Sequence, residues 1–229
     1  MLKNKKIHII GIEGGGTSAL ACLLVANGCQ VTGSDDGDHF YADMLCDHDI
    51  KVNDKYSPDN IPADTDVLIY STAQKPELNP ELKYALESNK KVLAYPEAVG
   101  EYFNTLRGIA VAGTHGKTTT SAWLAFVLDK AGLEPKALIG SKVPQFETGK
   151  SDIMVLEADE YQNKLKHYKP KGALINNIDY DHPDFFTSKE MYEQVFIDFM
   201  KSLPGKGWLV VNNDDKRLKS LAPVNSRAR

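Results

Sequence analysis

The chain has 229 residues, of which 42% are apolar and 25% charged, and its formal net charge at pH 7 is -4. This length is enough for one large domain or two of ordinary size, and it supplies the apolar residues for a sizeable core. Apart from four lysines between Lys164 and Lys171, which we interpret as a solvated face, the basic residues are dispersed, which argues against a nucleic-acid-binding protein.

Cysteine usage favours a reducing compartment, and hydropathy argues against a membrane span or a signal peptide. The three cysteines, Cys22, Cys29 and Cys46, are odd in number and lack CxxC spacing, so they support neither a disulfide framework nor a zinc site. No run approaches the roughly 20 apolar residues that cross a bilayer, and the lysine-rich start leads into too few apolar residues for a signal peptide. The sequence predicts a cytoplasmic protein without a membrane span.

The first part of the chain alternates short apolar runs with amphipathic stretches. We predict strands at residues 7–10, 30–33, 67–70 and 91–94, and helices at residues 17–27 and 80–89. This alternation is typical of βαβ units and therefore of a parallel sheet. Residues 1–106 are expected to form a Rossmann-like, parallel-sheet N-terminal domain.

A glycine-rich loop, Gly11-Ile-Glu-Gly-Gly-Gly16, follows the first predicted strand. Asp35 follows the next strand, where an acid binds ribose hydroxyls in nucleotide-binding Rossmann units. Glu13 stands where a glycine normally lets the backbone approach a pyrophosphate, so a hydride-transfer dinucleotide site is disfavoured. A nucleotide or nucleotide-sugar site that uses Gly14 and Gly16 stays open, as does a turn that only permits tight packing.

The second part of the chain, residues 107–229, has the pattern of another α/β domain. We predict strands at residues 108–112, 153–156, 173–176 and 208–211, and a helix at residues 117–130. A further helix is indicated by the i, i+3, i+4, i+7 spacing of four core side chains, Tyr192, Val195, Phe196 and Phe199. About four strands are fewer than such domains usually have, so we expect this domain to be truncated.

The strand at residues 108–112 runs directly into Gly113-Thr-His-Gly-Lys-Thr-Thr-Thr120. Backbone N–H groups of such a loop cradle phosphates, while Lys117 can reach the terminal phosphates and Thr118 can hold magnesium. Val111 occupies the place of the first glycine in the common G-x-x-x-x-G-K-[ST] motif, so the loop is a variant. The sequence therefore predicts a truncated P-loop α/β domain that uses ATP or GTP.

Acidic clusters follow two later strands of this domain, at Glu157-Ala-Asp-Glu160 and Asn177-Ile-Asp-Tyr-Asp-His182. Ligands bind at the carboxyl ends of strands in open α/β sheets, so both clusters are expected beside the phosphate loop. We assign the second magnesium ligand to Glu157, with a helix cap or a solvent-facing acid as the alternative. His182 is a candidate ligand or phosphate contact.

Three motifs, Gly113 to Thr120, Glu157-Ala-Asp-Glu-Tyr161 and Asn177 to His182, carry a family resemblance. In order and spacing they resemble the central domain of the Mur ligases of peptidoglycan synthesis. The His115 variant is similar to the branch that joins L-alanine to UDP-N-acetylmuramate. In the first domain, Gly33-Ser-Asp35 is one of several stretches that resemble the UDP-sugar site of this family.

The resemblance implies a ligase that uses ATP and Mg²⁺ to activate the muramic acid carboxylate as an acyl phosphate, which then reacts with an amine. It implies catalytic roles for Lys117 and His182, and magnesium ligation by Thr118, Glu157 and His182. ATP is expected at Gly113, Thr114, His115, Gly116, Lys117, Thr118, Thr119 and Asn177. The UDP-sugar is expected at Gly14, Gly16, Ser18, Ser34, Asp35, Ser71 and Ala73.

The resemblance also implies a C-terminal third domain, which these 229 residues do not include: either they are a fragment of a longer ligase, or they are one half of a split enzyme that receives this domain in trans. Glu13 departs from the glycine of the family's first loop, which puts a pyrophosphate contact there in doubt. Two alternatives stay open: a recycling ligase that attaches a preformed peptide, and a non-catalytic module that binds the UDP-sugar or ATP. A nucleotide-dependent oxidoreductase is the least favoured.

Overall fold

A computed structural model describes residues 2–143 and 149–222, which fold as two compact units. The first unit contains the residues up to Tyr102 together with the described residues that begin at Gly140. The second contains Phe103–Ile139 and the residues from Gly149 onward. The last part of the predicted second domain, residues 223–229, lies outside the described residues.

The first unit is a parallel sheet of five strands in the order β3-β2-β1-β4-β5, with helices between the strands. Its elements are β1 (Lys6–Ile10), α1 (Gly15–Ala26), β2 (Gln30–Ser34), α2 (Ala42–Cys46), β3 (Lys51–Asn53), β4 (Val67–Tyr70), α3 (Pro80–Glu87), β5 (Lys91–Ala94) and α4 (Tyr95–Phe103). The apolar strands are buried because helices cover a parallel sheet. This confirms the predicted Rossmann-like sheet.

The first glycine loop lies at the point where the strand order of the sheet reverses. After β1 the chain moves to β2 on one side, whereas β4 pairs with the other side of β1. In open α/β sheets, the crevice outside the carboxyl end of such a strand is the usual ligand site. The loop from Gly11 to Gly16 lies at that end of β1.

The second unit is also a parallel sheet, with the strand order β10-β9-β6-β8-β7. Its elements are β6 (Arg107–Ala112), α5 (Lys117–Lys130), β7 (Lys136–Leu138), β8 (Ile153–Glu157), β9 (Gly172–Ile175), α6 (Lys189–Lys201), β10 (Trp208–Val211) and α7 (Lys216–Leu221). The central strand β6 lies between β8 and β9, so the second glycine loop also begins at a reversal point. No helix among the described residues is long and apolar enough to cross a membrane.

The prediction of about four strands in the second domain is wrong, because its described residues contain five. The missed strand is β7, which has only three residues and begins with a charged one. Lys136 is nevertheless buried, and its Nζ donates to the carbonyl oxygens of Gly149 at 2.6 Å and Ser151 at 2.7 Å. These carbonyl oxygens accept hydrogen bonds from the buried ammonium group, while burial lowers the pKa of Lys136.

A polar cluster around the fully buried pair His8 and Glu81 fastens α3 to the sheet of the first unit. His8 on β1 bonds through Nδ1 to Thr32 Oγ1 at 2.7 Å and through Nε2 to Glu81 Oε1 at 2.6 Å. The other oxygen of Glu81 accepts hydrogen bonds from Ser57 N at 2.9 Å and Asn60 Nδ2 at 3.0 Å. Both Glu81 oxygens are therefore satisfied, as burial of a carboxylate requires.

Replacement of Glu81 by alanine is expected to destabilise the first unit, because it removes the partner of His8 Nε2 and the acceptor of Ser57 N, whereas Asn60 Nδ2 keeps Lys55 O and Ser34 Oγ. We expect the free energy of unfolding to fall by about 3 kcal/mol, the scale for breaking a buried pair. Urea denaturation measures the change. The matched control is Glu87→Ala on the exposed side of the same helix, which should change stability by less than about 0.5 kcal/mol; equal effects of the two substitutions would contradict the account.

Candidate functional site

The loop after β6 makes a sharp turn that depends on two glycines. Gly113 has φ of +131° and Gly116 has φ of +77°, both in the region that side chains rarely adopt. A Cβ atom on Gly113 would also meet Asn176 N and Asn177 O at 3.1 Å. Gly116 is the N-cap residue of α5 and provides no side-chain cap, so the N-terminal N–H groups of this helix face the loop.

Two asparagines after β9 hold the loop in this shape. Asn177 accepts a hydrogen bond from His115 N through Oδ1 at 2.8 Å and donates to His115 O through Nδ2 at 3.1 Å. Asn176 Nδ2 donates to His115 O at 3.2 Å and to Thr120 Oγ1 at 3.1 Å. The structure therefore places Asn177 as a clamp on the loop backbone, while the His115 ring is exposed.

Lys117, the first residue of α5, turns its ammonium group back over the loop. Its Nζ donates to Gly113 O at 2.8 Å, to Thr114 O at 3.2 Å and to Glu160 Oε2 at 2.9 Å. Glu160 is fully buried, whereas the Lys117 side chain keeps 15% of its surface exposed. These three acceptors place the Lys117 ammonium at the loop, and an anionic ligand would compete with them for its N–H groups.

Glu160 is itself held by a tyrosine from α6. The hydroxyl of Tyr192 donates to Glu160 Oε1 at 3.1 Å and lies 2.7 Å from Thr114 Oγ1 in the loop. Burial raises the pKa of Tyr192, so the hydroxyl keeps its proton over the physiological range. Sequence reasoning placed Tyr192 in the core and gave Glu160 no role, although Glu160 lies inside the acidic motif that it singled out.

The predicted metal ligands fall into two neighbouring groups. Thr118 Oγ1 donates to Glu157 Oε1 at 2.6 Å, because the first turn of α5 faces the last residue of β8. His182 instead lies with Asp159 and Glu160, and one potential ligand atom from each of these three lies within 4.8 Å of the others. Hydroxyl and carboxylate oxygens are the ligands that Mg²⁺ takes, so the Thr118 and Glu157 pair fits that ion. Thr119 is exposed on α5.

The first glycine loop borders a cleft of about 200 Å³ in the first unit. Of the residues predicted to bind the UDP-sugar, four line this cleft: Gly14, Asp35, Ser71 and Ala73. Asp35 Oδ2 accepts a hydrogen bond from Glu13 N at 2.7 Å, which ties the loop to the end of β2. The acid after β2 therefore shapes the loop, and its second oxygen accepts from Gly37 N at 3.0 Å.

The other three predicted substrate residues pack elsewhere in the first unit. A Cβ atom on Gly16 would lie 2.6 Å from the Tyr95 hydroxyl oxygen, so a larger residue here would displace the end of the Tyr95 side chain. Ser18 is fully buried and its Oγ donates to Gly15 O within α1 at 3.2 Å. Ser34 is also buried, and its Oγ accepts from Asn60 Nδ2 at 3.1 Å. Their roles toward a substrate stay predictions.

Comparison with known proteins decides the family. Residues 111–228 match the Mur ligase middle domain, and residues 6–107 match the Mur ligase family catalytic domain. The chain belongs to the Mur ligase family. This confirms the resemblance carried by the loop and the two acidic motifs, and it accounts for both sheets of this Mur ligase chain.

Several ligases are similar to this Mur ligase chain. UDP-N-acetylmuramate–L-alanine ligase of Aquifex aeolicus is 38% identical over 95% of the chain and 48% of its own length. The structure of UDP-N-acetylmuramate–alanine ligase from Thermotoga maritima covers 95% of the chain with a TM-score of 0.85 and 26% identity, over 51% of its own length. A second similar structure is that of UDP-N-acetylmuramate:L-alanyl-gamma-D-glutamyl-meso-diaminopimelate ligase from Neisseria meningitides. The match covers 95% of this chain and 74% of that chain, with a TM-score of 0.83 and 29% identity. The chain spans about half the length of the curated relatives it matches.

Removal of the Tyr192 hydroxyl tests the buried network under the loop. Tyr192→Phe removes one hydrogen bond each from Thr114 and Glu160 at nearly unchanged ring volume, while Asp179 still bonds Thr114 and Lys117 still bonds Glu160, so we expect the second unit to lose about 1 to 2 kcal/mol of stability. Chemical denaturation measures the loss, with exposed Tyr84→Phe as the matched control. Unchanged stability of the Tyr192 variant would show that this hydroxyl does not support Glu160.

Proposed function

We propose that the chain is the N-terminal and middle part of an ATP-dependent ligase that joins L-alanine to UDP-N-acetylmuramate through an acyl phosphate. The observation that supports it best is the arrangement of Lys117 at the glycine loop, with the Thr118 and Glu157 oxygens 2.6 Å apart beside it. The substrates are those of relatives that are 34 to 39% identical, which are UDP-N-acetylmuramate–L-alanine ligases. We propose that residues 1–106 bind the UDP-sugar and that residues 107–229 bind ATP.

The loop residues are assigned to the triphosphate. Backbone N–H groups between Gly113 and Thr118 would bind phosphate oxygens, assisted by the N-terminus of α5. Lys117 would stabilise the charge of the phosphoryl group in transfer, since its ammonium already points along the loop. Remaining nucleotide contacts are proposed for Thr114, His115, Gly116, Thr119 and Asn177.

The metal ligands are assigned to the oxygens beside that loop. Thr118 and Glu157 would hold one Mg²⁺, and His182 would contribute to a second, together with the acids that surround it. Bound Mg²⁺ neutralises charge on the phosphates and orients them. The protein would contribute mainly by positioning the reacting groups, because Asn177 fixes the loop and Glu160 fixes Lys117.

The reaction then consists of two displacements. An oxygen of the muramic acid carboxylate attacks the γ-phosphorus, the bond to the β,γ-bridging oxygen breaks, and ADP leaves. The neutral amine of L-alanine next attacks the acyl carbon, and the tetrahedral adduct expels phosphate, which leaves with the proton lost from the nitrogen, to give the amide. The amino-acid site is assigned in part to a third domain, which would act in cis in a longer chain or in trans.

In the first unit, we propose that the UDP-sugar lies over the cleft at the first glycine loop. Gly14, Asp35, Ser71 and Ala73 line this cleft and would contact the ligand directly. Gly16, Ser18 and Ser34 would act by shaping α1 and the end of β2, where they are packed.

A second candidate is ligation of a preformed peptide in place of L-alanine. It is favoured by the Neisseria meningitides protein, which is named as a ligase for such a peptide and whose structure superposes with a TM-score of 0.83. The two are separated by supplying radiolabelled L-alanine or the tripeptide with ATP and UDP-N-acetylmuramate, and measuring the amide product. Binding of both nucleotides without any product would favour a non-catalytic binding module.

Removal of the Lys117 ammonium is expected to weaken ATP binding. Lys117→Ala deletes a charged hydrogen-bond donor, so the affinity for Mg·ATP should fall roughly tenfold to a hundredfold. Isothermal titration calorimetry on the chain measures it, with circular dichroism to verify the fold. Lys130→Ala, exposed at the other end of α5, is the matched control and should bind normally. An unaltered affinity of Lys117→Ala would sink the assignment of this loop.

Loss of the Glu157 charge is expected to change the metal requirement more than the nucleotide site itself. In Glu157→Gln, the Mg²⁺ concentration that half-saturates ATP binding should rise on the order of tenfold, because a carboxylate ligand becomes a neutral amide. A Mg²⁺ titration at fixed ATP measures this midpoint. The control is Asp198→Asn, an exposed residue of α6. Identical midpoints in the two variants would remove Glu157 from the metal site.

A further inference from the structure

A carboxylate points into the cleft where the proposed UDP-sugar site needs room for a diphosphate. Glu13 lies in the first glycine loop, and 5% of its side chain is exposed. Its N–H group is committed to Asp35 Oδ2 at 2.7 Å, so the loop backbone at this residue is fixed. The side chain cannot leave the cleft without breaking the contacts that bury it.

His39 holds this carboxylate in place. Its Nδ1 lies 2.8 Å from Glu13 Oε2, and 48% of the imidazole is exposed. His39 itself has φ of +52°, a backbone conformation that asparagine adopts more readily than most side chains. A histidine in a left-handed turn therefore reaches across 26 residues of sequence to one oxygen of the glycine loop.

Glu13 and His39 form the wall between two cavities of the first unit. The cleft of about 200 Å³ lies on the side of Gly14 and Ser71. A larger cavity of about 520 Å³ lies on the side of α2 and β3, where Leu45 and Val52 line it. Glu13 and His39 are the residues that line both cavities, so a ligand extending from one into the other passes this pair.

Acidic side chains outnumber basic ones in the lining of the cleft, and one further cation, Lys142, lies 4.1 Å from the centroid of the Phe40 ring that lines it. The carboxylates of Glu13, Asp35 and Asp38 line it, and His39 is the basic side chain among its lining residues. A diphosphate placed over the loop would gain from the N-terminus of α1 but would share the cleft with the Glu13 carboxylate, which lines it. Repulsion between two charges that share such a cleft near a protein surface is large enough to change affinity by an order of magnitude.

We propose that Glu13 is a specificity-determining residue that lowers the affinity of the first-loop cleft for the diphosphate of a uridine nucleotide, and that His39 limits this effect by pairing with its carboxylate. The proposal rests on the proposed UDP-sugar site and deepens it. Under this proposal, Glu13 opposes binding of the diphosphate and does not change the affinity for the uridine part of the ligand. His39 acts through Glu13 and needs no contact of its own with the ligand.

The test uses UDP and uridine as probes, because they differ only in the diphosphate. Binding to the intact chain is measured by calorimetry for wild type, Glu13→Gln, His39→Asn and the double variant, with Glu87→Gln on exposed α3 as the control. Glutamine keeps the shape of Glu13, and asparagine accepts the positive φ of residue 39. Thermal unfolding verifies that each variant is folded.

We expect Glu13→Gln to bind UDP about tenfold more tightly than wild type, with its affinity for uridine unchanged. His39→Asn should bind UDP several-fold more weakly, and the double variant should match Glu13→Gln within twofold, because His39 acts through the carboxylate. Equal UDP affinities of wild type and Glu13→Gln would overturn this proposal alone. Absence of UDP and uridine binding in every variant would overturn the UDP-sugar site itself.

Discussion

The left-handed turn at Gly113 and Gly116 is the constraint on which the site of the second unit depends. Only glycine adopts both conformations without strain, and the turn ends β6 and starts α5 within four residues. Because the turn is tight, Lys117 folds back over it and Thr118 faces Glu157 on the neighbouring strand. The asparagines after β9 then fix the loop through the backbone of His115, so the cradle is formed by the protein alone.

A buried negative charge stabilises this positively charged loop. Glu160 is inaccessible to solvent, and such a carboxylate persists because Lys117 and Tyr192 both direct donors at it. The first unit handles charge in a different way, since Glu13 sits inside its glycine loop and is paired only with a half-exposed histidine. The two loops occupy equivalent places in their sheets, yet the Lys117 ammonium lies against one and the Glu13 carboxylate belongs to the other.

The sequence predicted the apolar strands well, as it did the helices that begin or end next to a glycine or proline. Examples are β4, β5 and α5, whose predicted ends match the structure because their apolar runs stop sharply. In contrast, β7 has three residues and α4 follows β5 without an intervening turn, so neither leaves a pattern to read. The role of Glu160 could not be predicted, because its partners lie 43 and 32 residues away in the sequence and only the packing of α6 brings them together.

The central claim is that each glycine loop binds one of two different nucleotides. Amide hydrogen exchange of the intact chain, measured with Mg·ATP and separately with UDP-N-acetylmuramate, tests this claim most directly. We expect Mg·ATP to slow exchange at residues 113–118 and leave residues 11–16 unchanged, and we expect UDP-N-acetylmuramate to do the reverse. Protection of residues 11–16 by Mg·ATP, or no protection of residues 113–118, would contradict the account.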